Sequence, residues 1–395
     1  MTLRLGTFNV WGLPEIFGLG DDVTSRTREI ARRLRHSDLD VLMIQEAWTE
    51  AVRNTLRAGA RLAGFEVAED PEASGGLMTL SRVPVRAVRF EGFAFRGDPE
   101  RIGQGEFLGG KGFQTLEIET EAGWVSLVNT HLHARYRKAR PRLNSAVRVA
   151  QLLQIVRYLA ETPGTVILGG DFNCSLSDME YEVFEGLSGA IELGGGTRHP
   201  TLSSANYYKR HRTSEDKRID FLFVRPATGV EWQAKDARLL FAESAEIRDI
   251  TRSLSDHFGF RSELDLGASP FPPSDAKIAH PPTQRALALA RDLLAVGDAE
   301  TDRRFSTHME SALAFVGLAA VSCGAQRVPA VDRRRFLRGG LGAVAWLSVT
   351  PAVGYGALAH FDSRKKRGAF AEARFVLVQL ELAALSAAQD VNSSA

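Results

Sequence analysis

Residues 3–264 alternate short apolar runs with polar turns and a few stretches of helical spacing. The runs VLMIQE (41–46), WVSLVNTH (124–131), VILGGD (166–171), IDFLFV (219–224) and FGFRSEL (258–264) have the length and the β-branched and aromatic content of strands. From Asn144 to Ala160, Val149, Leu152, Leu153, Val156 and Leu159 recur at three- and four-residue spacing. That pattern predicts a helix with Asn144 as its N-cap. A second helix is predicted over Ser25–Leu34. No internal period indicates a repeat protein. The mixture predicts an α/β domain with buried sheets covered by helices.

The pattern changes after residue 265. The span 267–282, GASPFPPSDAKIAHPP, holds five prolines and reads as a linker, assigned to 266–283. Residues 284–395 form a third region. It has a helix over Gln284–Val296, uncharged apolar segments at 311–326 and 339–361, and an amphipathic end at Phe370–Leu385. A membrane-spanning helix needs about 20 apolar residues. The second segment reaches that length and the first falls short. Both are rich in Gly and Ala, which suits close helix packing in lipid. Arg333, Arg334, Arg335 and Arg338 lie between the segments, and Arg364, Lys365, Lys366 and Arg367 follow. A full hairpin would put one of these clusters on the disfavoured side of the membrane. The N-terminus runs straight into the first strand with no signal-like segment, so the expectation is a membrane-held protein whose catalytic domain is cytoplasmic.

Several of the strand-like runs contain or end on a polar group. A core strand has little reason to carry such a group unless it meets a metal or a substrate. Glu46 ends VLMIQ with no base beside it, as a hard oxygen ligand for Mg²⁺ would. Asn9, at the end of the first strand, is placed to orient that ligand or to meet the same ion. Asp171 and Asn173, in GGDFN, lie two residues apart and share one side if the segment is extended. They become contacts to phosphate, or else ordinary turn residues. Asp220 and the Ser255-Asp256-His257 string supply a histidine and a carboxylate, the usual make-up of a general base at neutral pH. His131 and His133 share one strand face, and His131 is the candidate donor to charge developing on a phosphoryl oxygen.

Net charge separates the halves. Residues 1–265 carry −3 and the remainder +4. A domain that grips a long nucleic acid is usually basic, so this balance weighs against a nuclease. Cys174 and Cys323 form neither a disulfide framework nor a zinc spacing. Gly105–Lys111 begins like a nucleotide-binding P-loop but continues with Gly112, where Ser or Thr should stand, and leads into a strand. An NTPase is excluded, while Lys111 remains able to reach a phosphate.

Taken in order, FNVWGLP, IQEAW, GGKG, VNTHLHARY, RVAQ, GGDFN, RIDFLFV and LSDH resemble the endonuclease/exonuclease/phosphatase superfamily, with its DNase I-like fold. Within it the chain is most similar to neutral sphingomyelinases with a C-terminal membrane hairpin. NVWGLP and THLHARY carry the narrower resemblance, because GDFN and SDH occur across the superfamily. The resemblance implies a four-layered α/β sandwich with Mg²⁺, or Mn²⁺ in its place, at the mouth. It assigns Glu46, Asn9 and Asp256 to the metal side. His257, oriented by Asp220, becomes the base, with Asp171 as the alternative. His131, Asp171 and Asn173 hold the phosphoryl group, and Lys111 lies on a glycine loop near it. The implied reaction is phospholipase C-type hydrolysis of sphingomyelin or a lysophosphocholine lipid, with a membrane phospholipid as substrate and no nucleic acid partner. A nuclease or inositol-phosphate phosphatase on the same fold, and a non-catalytic membrane adaptor, are the competing readings.

Overall fold

The computed structural model describes residues 2–15, 20–97, 109–121, 123–135, 141–195, 199–210, 215–267, 281–328, 331 and 334–393. Most of the linker, part of the glycine loop before Gly109, Tyr136 and Arg333 lie outside the described residues. Among the described residues, fourteen strands run from β1 (Thr2–Asn9) to β14 (Gly259–Leu266). Those around the site are β2 (Val41–Gln45), β4 (Met78–Ser81), β6 (Gly112–Thr120), β7 (Gly123–His131), β8 (Val166–Asp171) and β10 (Asp220–Arg225). The other strands are β3 (Glu66–Ala68), β5 (Val85–Gly92), β9 (Ile191–Glu192), β11 (Trp232–Leu240), β12 (Ala245–Ile247) and β13 (Ile250–Arg252).

Two six-stranded mixed sheets result, ordered β11-β14-β1-β2-β4-β3 and β5-β6-β7-β8-β10-β9, with β12-β13 as a separate pair. Their inner faces meet through Leu3, Leu5, Val41 and Met43 on one side and Leu116, Leu127, Ile167 and Leu222 on the other. The outer face of the first sheet buries Phe8, Leu42 and Ile44 under α1 (Val23–Leu34) and α2 (Glu50–Leu62). The second sheet buries Val128, Leu168, Phe221 and Phe223 under α3 (Pro141–Glu161) and α4 (Met179–Ser188). Helices, sheet, sheet and helices make the expected four layers. Alternating side chains on central strands such as β2, β8 and β10 serve a core on both faces, which is why these runs read as continuously apolar.

Gly169 and Gly170, the pair in GGDFN, have separate causes. A Cβ on Gly169 would lie 2.6 Å from Met43 Cε of the facing sheet. Gly170 has φ +150, and a Cβ there would meet the Thr130 carbonyl oxygen. The missing side chain at Gly169 lets the two sheets close, and the one at Gly170 lets β8 lie against its neighbour β7.

The C-terminal region departs from its expected division. The helix over Gln284–Val296 and the first apolar segment are one 42-residue helix, α5 (Gln284–Ala325). Its N-cap Thr283 donates its N–H to the Gly186 carbonyl on α4 and accepts from Ala286 N–H at 3.3 Å. Helix α6 (Arg335–Ala357) returns antiparallel to α5, with Tyr355 near His308 and stacked on Phe315 at 5.9 Å. After a π-helical turn (Leu358–Asp362), α7 (Ser363–Ser393) runs back along the first half of α5. Ion pairs Arg367–Asp302, Arg374–Asp298 and Arg291–Glu381 fix that register. Phe370 of α7 seats on Gly297 and Phe95, joining the helices to the core under α3. Asn144 lies inside α3, three residues past its start at Pro141, so it does not cap the helix.

Candidate active site

Strand register gathers the polar residues. Parallel pairing of β7 with β8 sets His131 beside Asp171, and antiparallel pairing of β10 with β8 sets Asp220 on the other side of Asp171. These three residues therefore form one row across the end of the second sheet. In the first sheet, Asn9 pairs with Gln45, which puts Glu46 just beyond the strand ends at the same edge. His257 lies on the loop entering β14, which is antiparallel to β1.

The side chains converge. Asn9 Nδ2 donates to Glu46 Oε1 at 3.0 Å and to Asp171 Oδ2 at 2.9 Å, while Asn9 Oδ1 accepts from Trp11 N–H at 2.9 Å. His131 Nε2 lies 3.8 Å from Glu46 Oε1 and 3.5 Å from Asp171 Oδ2. His257 Nδ1 lies 2.9 Å from Asp220 Oδ2, and its Nε2 faces Asp171 Oδ2 at 4.0 Å. Lys111 Nζ and Asn173 Nδ2 each donate to the Leu132 carbonyl at 3.0 Å. Asp256 accepts from Lys209 Nζ at 2.7 Å and stands beside the group without joining its ligand clusters.

Two sequence expectations change here. Strand β8 stops at Asp171, and Asn173 has φ 50, so the pair does not share an extended face. Instead Asn173 N–H closes back on Asp171 Oδ1 at 2.9 Å, a local turn that steadies the carboxylate. His131 and His133 also part company. Strand β7 ends at His131, and His133 packs against Phe95 with its N–H on Gln151.

Trp11, Glu46 and Asn173 all hold left-handed backbone, with φ 48, 61 and 50. Such conformations cost about 1–3 kcal/mol each and collect at functional sites. Gly12 relates the first two. Its N–H donates to the Glu46 carbonyl at 2.9 Å, and a Cβ on it would come within 2.5 Å of that oxygen.

Electrostatics reflect four crowded acids, Glu46, Asp171, Asp220 and Asp256. Burial, then the charge of Asp256, pushes the Glu46 carboxyl above its ordinary range. Burial and the neighbouring Asp220 likewise raise Asp171. Burial alone would lower His257, but Asp220 and Asp171 outweigh it and raise the imidazole. Asp256 is held below its usual range because Lys209, His257 and Arg26 overcome the effect of burial. Burial also pushes the Cys174 thiol well up, so it behaves as a packed apolar group.

The donor set suits a hard divalent cation. Oxygen and nitrogen atoms of Glu46, His131 and Asp171 lie within 4.8 Å of one another, as do those of Asp171, Asp220 and His257. Buried Asp220 Oδ1 has no hydrogen-bond partner among the described residues. Acids raised by burial and mutual repulsion are relieved by a positive ion.

Sequence reasoning did not identify Lys209, Ser255 Oγ, which donates to the Asn9 carbonyl at 2.7 Å, or Thr201 Oγ1, which accepts from Asp220 N–H at 3.2 Å. Ser and Thr in polar loops give no periodic signal. Only the three-dimensional contact marks them.

Residues 6–257 match the Endonuclease/Exonuclease/phosphatase family. The chain is 26% identical over 320 residues to an inositol phosphosphingolipids phospholipase C of Schizosaccharomyces pombe, covering 70% of this chain and 72% of that protein. It is 27% identical over 276 residues to a Drosophila melanogaster protein named as a neutral sphingomyelinase, covering 67% and 61%. Among solved structures, sphingomyelinase C from Streptomyces griseocarneus superposes with a TM-score of 0.52 at 19% identity, and TDP2 from D. rerio complexed with single-strand DNA product with 0.54 at 20%. Each superposition covers 67% of this chain and 99% of the other, and establishes a shared fold. The chain belongs to the Endonuclease/Exonuclease/phosphatase family of hydrolases.

Proposed function

We propose that this protein is a divalent-metal-dependent phosphodiesterase of the phospholipase C type, acting on sphingolipids that carry a phosphodiester head group. Sphingomyelin is the leading substrate, with lysophosphocholine lipids and inositol phosphosphingolipids next. The observation that carries the reading is the arrangement of His257 between Asp220 and Asp171, with Asp171 shared by the cluster of Glu46 and His131.

Mg²⁺, or Mn²⁺ in its place, would be held by Glu46 with Asn9 and Asp256 nearby, and would supply Lewis-acid polarisation of a phosphoryl oxygen. The remaining chemistry belongs to side chains. In its neutral form, the one a base requires, His257 donates Nδ1–H to Asp220, which fixes the tautomer and leaves Nε2 to take the proton of an attacking water. Asp171 is the alternative base. His131 donates to charge on a phosphoryl oxygen, Asn173 steadies Asp171 through the local turn, and the Lys111 cation lowers the local negative potential.

The C-terminal helices support a membrane setting. Two are long and apolar enough to cross a bilayer, and only 11% of each apolar window is buried. Phe336, Trp346 and Leu347 are 92%, 79% and 75% exposed, an arrangement that costs heavily in water and is natural in lipid. The buried positions in the hairpin part of α5 and α6 are His308, Ala312, Ser322, Ala345 and Ser348, mostly small or polar residues of the kind that let helices approach closely.

A direct test assays the purified full chain with and without Mg²⁺ on sphingomyelin, an inositol phosphosphingolipid, lysophosphatidylcholine and plasmid DNA. Metal-dependent release of the phosphorylated head group from a sphingolipid is expected. Preferential cleavage of DNA would replace this reading with a nuclease, the alternative that the TDP2-like fold keeps open and the net −3 domain disfavours.

A further inference from the structure

Arg26 of α1 is fully buried, 0% exposed, and among the described residues it forms no ion pair. Its guanidinium instead donates to four main-chain carbonyls. Nε reaches Asp21 O at 2.8 Å, Nη1 reaches Val10 O and Leu254 O at 2.9 Å each, and Nη2 reaches Trp11 O at 2.8 Å. Its carbon lies 4.8 Å from the Trp11 ring centre and 5.5 Å from that of Tyr208. Burying a charge with no ion-pair partner is costly even where acids such as Asp256 and Glu46 act on it from a distance, and an apolar residue would fill a helix–sheet interface at less expense. The charge therefore serves something other than packing.

The carbonyls it joins are informative. Val10 and Trp11 follow Asn9 directly, and Trp11 N–H sets the orientation of the Asn9 amide that reaches Glu46 and Asp171. Leu254 immediately precedes the Ser255-Asp256-His257 string. One planar group thus spans two segments that come from opposite ends of the catalytic domain and must keep register for His257 to face Asp171. Lysine, a point charge on a flexible stem, has no comparable fork of donors.

We propose that Arg26 is a positioning residue of the hydrolytic site, locking the chain leaving β1 to the loop that carries His257. Its kinetic consequence rests on the phosphodiesterase reading above; its structural consequence does not.

The test uses full-length Arg26→Lys and Arg26→Gln in detergent. Hydrogen exchange is followed in peptides 8–13 and 252–258 against 41–45, beside steady-state kinetics on sphingomyelin in mixed micelles. Both variants are expected to speed exchange about tenfold or more in the two loops and little in 41–45. Because small misplacements of reacting groups are costly, kcat should fall about tenfold or more with KM within about threefold, and Lys should do no better than Gln. Wild-type exchange in both loops, recovery of kcat by Arg26→Lys, or a uniform rise that includes 41–45 would each overturn the proposal. Should neither variant fold, Trp11→Leu removes a ring from the guanidinium while leaving its carbonyl bonds. It is expected to give a smaller change of the same kind, and unaltered exchange in 252–258 would count against Arg26. A wild-type protein that cleaves no phosphodiester would remove the proposed function, and the exchange measurements would still decide this role.

Discussion

His257 Nδ1 lies 2.9 Å from Asp220 Oδ2, and this contact bridges the loop before β14 to the first residue of β10. Because the bond occupies Nδ1, the other ring nitrogen is the one presented to Asp171. His257→Ala is expected to lower kcat by about 10²–10⁴, the usual worth of a positioned general base. Asp220→Asn should reduce it too, by favouring the wrong tautomer. Near-normal metal-dependent turnover in His257→Ala would remove His257 from the role of base.

Gly12→Ala tests the strained approach of the first loop to Glu46. With an oxygen 2.5 Å from the new Cβ, the loop must shift. The expected cost is about 1–3 kcal/mol of stability, as for other forced overpacking. Activity should fall further than the same stability loss produces at a distant site, since Glu46 moves with the loop. Denaturant titration beside specific activity checks both.

Metal and protons should compete. Glu46 and Asp171 are raised above their unfolded values, and His257 is raised above that of a free imidazole. Groups whose folded pKa is raised stabilise the fold in their protonated form. The metal-free protein is therefore fully favoured by them below the unfolded values and loses that contribution as pH rises through the folded ones. A cation binds the deprotonated carboxylates. The rise in Tm caused by Mg²⁺ or Mn²⁺ is expected to be small near pH 5 and to grow towards pH 8. A metal-induced shift that shrinks with rising pH would contradict the assignment of these acids to the cation.

The exposed face of the α5–α6 hairpin predicts behaviour in cells. Lys at Val316, Val321, Trp346 and Leu347 together would place four charges where a hydrocarbon interior is expected, at about 2.5–3.5 kcal/mol each on insertion scales. The wild-type chain should remain with membranes after alkaline carbonate washing and the fourfold variant should not. Equal release of both would detach the hairpin from the bilayer.

The strand order and the C-terminal spans follow unequal signals in the sequence. The apolar runs at 41–46, 124–131, 166–171 and 219–224 each became a strand within a residue or two, because burial on both faces leaves no alternation to misread. The row His131–Asp171–Asp220 was legible only as three strand-end residues; pairing register made it a row. The premise that a polar group in an apolar run must meet metal or substrate was too broad. Gln45 and Asn129 lie in the same runs, yet they bond each other across the sheets at 2.8 Å, and Asn129 also donates to the Ile44 carbonyl. A buried amide pair satisfies itself, whereas clustered carboxylates need an external cation or proton, and composition does not separate the two cases. The left-handed turns at Trp11, Glu46 and Asn173 were equally hidden, since none is glycine.

Phe370 seated on Gly297, with the ion pairs along α7, joins the hairpin to the same core that lies beneath β7 and β8. Such an attachment works as a mast rather than a tether. A flexible leash would let the catalytic head sample every orientation above a lipid surface. In the proposed membrane setting, a rigid stem would instead set the height and tilt of the head, so that a lipid would have to rise to a mouth held at a fixed distance, and the angle at which the helices entered the bilayer would become part of what selects the substrate.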